Sequence, residues 1–287
     1  MICLLAALLW QSDWNSAFAQ AKQQHKLVLV DYDKAPCPAC FDIEQLARDE
    51  PELGRALGDF VLLRVDLART AVPPAVRYEP PAYVVFDTGG RERLRIHDDH
   101  GVLRADDWHF AESRPKVQHF DPHAPQHGSV DETGVIDPIV RVHAAAPAFV
   151  QASELLDAGH NLDANFLIAN AYARLKMTEH ARAAYAAAKK IAERAGNAAA
   201  AQSAEVQSAY TYVSEGHPAH AVELLKPLSK APVNRDAEAL IWLTLGRAYE
   251  AATDKSEALD AYRRAQTLAA AGSRTEAEAS ASLKRLQ

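Results

Sequence analysis

The sequence predicts two folded parts in series: an α/β domain with a mixed central sheet flanked by helices, then an all-α domain of repeated helical pairs. Three observations carry this reading. Apolar runs of strand character alternate with helical patterns as far as His97. After Ala144, alanine, glutamate, leucine, lysine and arginine dominate and no strand pattern remains. Breaks at Gly159, Gly196, Gly216, Pro232 and Gly272 divide that second half into helix-length segments. A chain of 287 residues is long enough for two ordinary domains, each with its own core.

Ser12 and Asp13 offer an N-cap, and Trp14, Ala17, Phe18 and Ala21 follow at helical spacing. Lys26 to Tyr32 (KLVLVDY) is a nearly continuous apolar run, suited to a strand buried on both faces. From Cys37 a helical pattern sets in, with Phe41, Ile43, Leu46 and Ala47 on its apolar side and Pro51 kinking or ending it. Phe60 to Asp66 (FVLLRVD) is a second buried strand, and strand–helix–strand in this order makes a parallel pair with a right-handed crossover. A proline-rich connection at 72–81 leads to a third strand, Ala82 to Asp87, and Gly89-Gly90 turns it into an antiparallel partner, Arg91 to His97. From Asp98 to about Arg141 recurring prolines and histidines predict loop and linker, with one short helix at 106–113. The expected boundaries are an α/β domain at 10–115, a linker at 116–145 and a helical repeat domain at 146–287.

The clearest repeat unit is Trp242-x-x-Leu245-Gly246-x-x-Tyr249 followed by Ala258-x-x-x-Tyr262-x-x-Ala265. Small residues at Gly246, Ala258 and Ala265 let two antiparallel helices approach, and the large ones fill the space between them and the next pair. Two weaker copies precede it. One has Ile168, Ala169, Tyr172, Ala181, Tyr185 and Ala188; the other has Ala209, Tyr212, Ala221, Leu225 and Leu228, with Asn165 and Glu205 where the tryptophan would stand. This pattern resembles the tetratricopeptide repeat. The resemblance implies a groove that takes a protein or peptide, with Thr275 to Leu286 as the capping helix. A generic helical bundle with alanine-rich seams is the other reading of these residues.

The cysteines are Cys3, Cys37 and Cys40, too few for a disulfide framework. A Cys-x-x-Cys pair opening a helix after a buried strand has a physical logic. The helix N-terminus offers unpaired N–H groups and the positive end of the dipole. Both favour a thiolate, making Cys37 the nucleophile. Cys40, one turn on, can attack the mixed disulfide that results. With Asp31 six residues before Cys37 at the end of an apolar strand, and Pro81 opening the strand Ala82 to Phe86, the sequence resembles the thioredoxin superfamily over about residues 10–100. The resemblance implies a thioredoxin fold, with Asp31 buried near Cys40 as its proton acceptor and Pro81 lying against the Cys37–Cys40 disulfide. A buried carboxylate suits that role. The chain departs from the family in having Pro36 before the first cysteine and Pro38-Ala39 between the two.

The expectation is a thiol–disulfide oxidoreductase whose repeats recruit a protein client. Its redox centre is the cysteine pair itself, with no bound cofactor and no metal. The alternatives are a non-catalytic scaffold on the same fold, and a zinc half-site completed by histidines of the 97–127 region. A net charge of −7 argues against nucleic acid as the main partner. Met1 to Trp10 is apolar but too short to cross a bilayer. Read as the remnant of a signal sequence it implies a periplasmic or secreted protein; read as a first strand or buried segment it implies a cytoplasmic one.

Overall fold

The computed structural model of the chain describes residues 8–33, 43–66, 82–97 and 133–286, and their contacts divide into a first unit ending at Ala158 and a second beginning at Gly159. The cysteine pair, the proline-rich connection, the short helix expected at 106–113 and the histidine-rich segment lie outside the described residues.

In the first unit, Asp13 caps helix α1 (Trp14–Gln24), its Oδ2 accepting the Ser16 N–H at 2.7 Å. The sheet holds five strands: β1 (Trp10–Gln11), β2 (Val28–Asp33), β3 (Val61–Asp66), β4 (Ala82–Phe86) and β5 (Glu92–His97). Their order is β1-β3-β2-β4-β5; the first three run parallel, and β4 and β5 are antiparallel to their neighbours. The apolar runs put β2 and β3 at the centre because both their faces are covered. On one face Val28, Val30, Tyr32, Leu63, Val65, Val84 and Phe86 pack with Ala17 and Ala21 of α1. Trp14 stacks on Phe18 at 4.8 Å between ring centres, and both meet Phe86 edge-on. The helical run after the cysteines becomes α2 (Ile43–Asp49) and α3 (Pro51–Gly58), with Pro51 at the start of α3, where its missing N–H costs nothing. Ile43, Leu46, Ala47, Leu53, Ala56 and Leu57 are all buried.

The β4–β5 turn is built around one carboxylate. Asp87 is fully buried; its Oδ1 accepts the N–H groups of Gly89 and Arg91 at 2.9 and 3.0 Å. Its Oδ2 accepts Nε and Nη2 of the buried Arg93 at 3.0 and 2.5 Å. Gly90 takes φ +76°, the left-handed turn conformation that glycine adopts without strain.

A long helix, α4 (Thr133–Asp157), belongs to this unit. His143 Nε2 lies 2.7 Å from Asp59 Oδ2, Arg91 donates to Asp157 at 3.0 Å, and Phe149 lies under the Arg93 guanidinium. The sequence predicts loop as far as about Arg141, and the change in composition puts the start of the helical domain at 146. The structure instead has one helix running through both positions and packing beside α3 and β5. Pro138 and Pro147 hid it: each removes one backbone donor, and in isolation each reads as a break, yet buried Ile139, Val142, Phe149, Val150 and Ala152 hold the helix to its neighbours. No helix among the described residues is long and apolar enough to cross a membrane.

The second unit is a series of helical hairpins: α5 (Asn161–Arg174) with α6 (Thr178–Arg194), α7 (Ala198–Ser214) with α8 (Pro218–Lys230), α9 (Arg235–Ala251) with α10 (Lys255–Leu268), then α11 (Arg274–Leu286). Five of the breaks fall at the four expected glycines and at Pro232; the turns α5–α6 and α9–α10, which the sequence did not mark, instead place Lys176 and Thr253 in the left-handed conformation. Of the small and aromatic repeat positions, Ala169, Tyr185, Ala209, Ala221, Ala258, Tyr262 and Ala265 are buried, while Tyr212, Trp242 and Tyr249 are partly buried against the core. Tyr185 donates to Asn170 Oδ1 at 2.7 Å, and burial pushes its phenol up to about 12.

Tyr262 shows why the repeat needs glycine. A Cβ added at Gly246 would meet the Tyr262 ring at 2.6 Å. Gly246→Ala gains about 1 kcal/mol of helix propensity but forces a clash against a ring with no free space. Overpacking of this kind costs roughly 1–3 kcal/mol. The variant is therefore expected to be less stable by up to about 2 kcal/mol, seen as a lower denaturant midpoint for the helical transition.

The Tyr262 hydroxyl donates to Glu250 Oε2 at 2.7 Å, and Arg285 of α11 donates to the same carboxylate at 2.8 Å. Burial raises the Glu250 pKa, but hydrogen bonds from Tyr262 and Arg285 outweigh it, and the net shift is downward. A lowered folded-state pKa gives stability that is present above the ordinary carboxylate range and lost as pH falls through the folded value. Acidification below about pH 4.5 should therefore speed hydrogen exchange in α10 and α11, and Arg285→Gln should reduce that acid response. An acid response unchanged in Arg285→Gln would contradict the assignment.

Candidate active site at the end of the central strand

The strand register brings four chain segments to one end of the sheet. Asp33 of β2 is in register with Asp66 of β3, Tyr32 with Ala82 of β4, and Ala82 with His97 of β5. The segment carrying Cys37 and Cys40 leaves β2 after Asp33 and rejoins the described chain at Ile43 of α2. Pro81 immediately precedes Ala82, so the chain leaving β2 and the chain arriving at β4 meet at the same sheet end. Cys37, Cys40 and Pro81 themselves lie outside the described residues.

Asp31, the remaining sequence-predicted residue, lies in β2 two residues before its end and is 7 % exposed. It is on the sheet face opposite α1, by strand alternation from Val30 and Tyr32. Arg64, its register partner on β3, donates from Nε to Asp31 Oδ2 at 3.0 Å. The terminal nitrogens of Arg64 both lie 3.4 Å from Glu44 Oε1 in the first turn of α2. The guanidinium also covers the Trp10 ring of β1 at 4.4 Å. One cation thus ties together two strands and the helix that follows the cysteine segment. Burial and the neighbouring guanidinium act on Asp31 in opposite directions: the first opposes its charge, the second supports it.

Arg64 and Glu44 are functional candidates that sequence reasoning passed over. The signal was present. Arg64 is the one charge inside the apolar run FVLLRV, and a charge in a buried strand demands a partner. Asp31 is the matching acid in the neighbouring run, but pairing the two required the register. Among the described residues no group of three His, Cys, Asp or Glu side chains forms a metal site.

In the second unit, Arg247 of α9 covers Tyr210 of α7 at 5.2 Å and pairs with Glu278 of α11, linking the first helices of successive hairpins and the final helix. Arg182 likewise pairs with Glu215 at 2.7 Å and covers Tyr212 at 4.5 Å.

The family model for thioredoxin-like proteins matches residues 9–88, a span that takes in β1 to β4 and the cysteine pair. The model for the tetratricopeptide repeat matches residues 162–194 and 239–271, the hairpins α5–α6 and α9–α10. The hairpin α7–α8 lies between them with the same arrangement. No curated protein matches the chain. The chain joins a thioredoxin-like domain, with its mixed five-stranded sheet, to an array of tetratricopeptide repeats.

Proposed function

We propose that the protein is a thiol–disulfide oxidoreductase that acts on protein clients through Cys37 and Cys40, with the repeats holding the client or a partner. The observation that carries this is the placement of a buried acid, Asp31, in the strand that leads into a Cys-Pro-Ala-Cys segment, at the sheet end where the chain following Pro81 also begins its strand.

The chemistry runs as follows. The Cys37 thiolate attacks one sulfur of a client disulfide; a Cys37–client bond forms and the first client thiolate leaves. Asp31 takes the proton of Cys40, and the resulting thiolate attacks the Cys37 sulfur. The Cys37–Cys40 disulfide forms and the second client thiolate leaves. The client has gained two electrons and the protein has lost them, while protons from Asp31 and solvent neutralise the client thiolates. Run backwards, the same steps oxidise a client dithiol, and the potential of the reacting partner sets the direction.

The test is turnover. Full-length protein with dithiothreitol as reductant is expected to speed the reduction of a protein interchain disulfide well above the rate with dithiothreitol alone. Equal rates with and without the protein would overturn the assignment and favour a binding module on an inert thioredoxin fold.

A further inference from the structure

The buried residues of α4 fall into two groups. Ile139 and Val142 form the first; Phe149, Val150, Ala152 and Ser153 form the second. Between them Ala144 and Pro147 are exposed and Ala145 and Ala146 half-buried, so the helix is docked by its two parts and not by its middle. Pro147 stands at the join. It has no N–H to give the His143 carbonyl, and its ring crowds that carbonyl, so the helix is weakest there.

The two parts are held differently. The first lies at the end of α3, where His143 meets Asp59 at 2.7 Å and the Phe60 ring at 6.2 Å between centres. The second sits on the β4–β5 turn largely through polar contacts. Ser153 Oγ accepts from Thr88 Oγ1 at 3.0 Å and from Arg91 Nη1 at 3.3 Å. Asp157 accepts from Arg91 Nη2 at 3.0 Å and lies 3.7 Å from Lys22, while Glu154 lies 2.7 Å from His25 Nδ1. The charged partners are partly or largely exposed, so water can take over these contacts at little net cost. The turn itself does not depend on them, because the buried Asp87 holds Gly89, Arg91 and Arg93 from within.

We propose that residues 149–157 are a latch: they unfasten from the β4–β5 turn by melting from Pro147 onward, while Ile139, Val142 and the sheet stay in place. A segment that loses its docking face has too few turns to remain helical alone, so release is an order-to-disorder step. Fastened, the chain between α4 and α5 is residues 158–160. Unfastened, it is residues 148–160, which as a flexible chain spans about 20 Å root-mean-square. The latch thus sets the reach of the repeats. A partner that contacts both units only at the longer reach favours the open state by its differential affinity. The inference concerns the link between the units and stands whether or not the cysteines exchange disulfides.

The experiment is hydrogen exchange of the full-length protein, read by mass spectrometry. Amides of residues 149–157 are expected to exchange at least about tenfold faster than those of β2, at a rate that low denaturant leaves unchanged, as local openings do. Pro147→Ala restores a backbone donor at an exposed position, and should slow exchange in 149–157 about tenfold while leaving β2 as it was. Arg91→Gln should speed it about threefold; if β2 loosens too, the Pro147→Ala comparison decides alone. Chymotrypsin gives a second reading. Phe149 is fully buried while the latch is fastened, so cleavage after it follows the open population, falling in Pro147→Ala and rising in Arg91→Gln. Exchange in 149–157 as slow as in β2, or unmoved by both variants, means that α4 opens only with the whole first unit and overturns the inference. Phe149→Asp, which unseats the latch outright, should enlarge the radius of gyration in small-angle scattering relative to Pro147→Ala. Equal radii, with 149–157 melted and β2 still protected, overturn the role in reach.

Discussion

Cys37→Ser is expected to abolish reduction of a protein disulfide, while Cys40→Ser is expected to trap the client. The two cysteines are chemically alike, and the difference comes from order. On the proposed reading Cys37 is the attacking nucleophile, and without its sulfur no mixed disulfide forms. Losing the nucleophile should remove the whole acceleration over dithiothreitol alone. With Cys40 replaced, the first attack proceeds and the intramolecular release does not. The Cys37–client bond should then persist as a covalent complex on a non-reducing gel. Equal trapping by both variants, or by neither, would contradict the roles given to the two residues.

Asp87→Ala is expected to destabilise the first unit by about 3–5 kcal/mol, the range found when one partner is removed from a buried ion pair. Asp87 is fully buried and accepts from both the turn backbone and Arg93, which is itself 8 % exposed. Its loss leaves a buried guanidinium without this carboxylate and two turn N–H groups without their acceptor. Asp87→Asn keeps an oxygen for the turn but loses the charge, so its cost should fall between the two. Thermal unfolding of the three proteins should rank native above Asn above Ala. A loss in Asp87→Ala no larger than that of an exposed substitution would show that the pair contributes little. Since β4 and β5 form this hairpin and Pro81 precedes β4, the loosened unit is expected to lose exchange activity as well.

The parts of the fold legible in sequence were those where one local pattern decided the element. Lys26 to Tyr32 and Phe60 to Asp66 could only be central strands, and Asp13 announced α1. The third repeat copy was legible because Gly246 and Tyr262 are complementary in size, a relation visible in their spacing. Helix α4 was not, because its evidence is tertiary: Phe149, His143 and Asp157 earn their places from Arg93, Asp59 and Arg91, far away in the chain. The candidate site divides the same way. Asp31 stood out as an acid closing an apolar strand, whereas Arg64 and Glu44 acquire meaning only once β3 is in register with β2 and Glu44 of α2 reaches the Arg64 guanidinium. Ion pairs between elements depend on register and packing, which no single segment encodes.

The most direct measurement is a redox titration of the full-length protein in glutathione buffers, with free thiols trapped at each point and Cys37 and Cys40 quantified by mass spectrometry. A working pair forms one intramolecular disulfide, so both residues should pass from trapped to untrapped together in a single two-electron transition. If Cys37 and Cys40 remain separately alkylated across the range, or only one of them oxidises, thiol–disulfide exchange is not what this domain does.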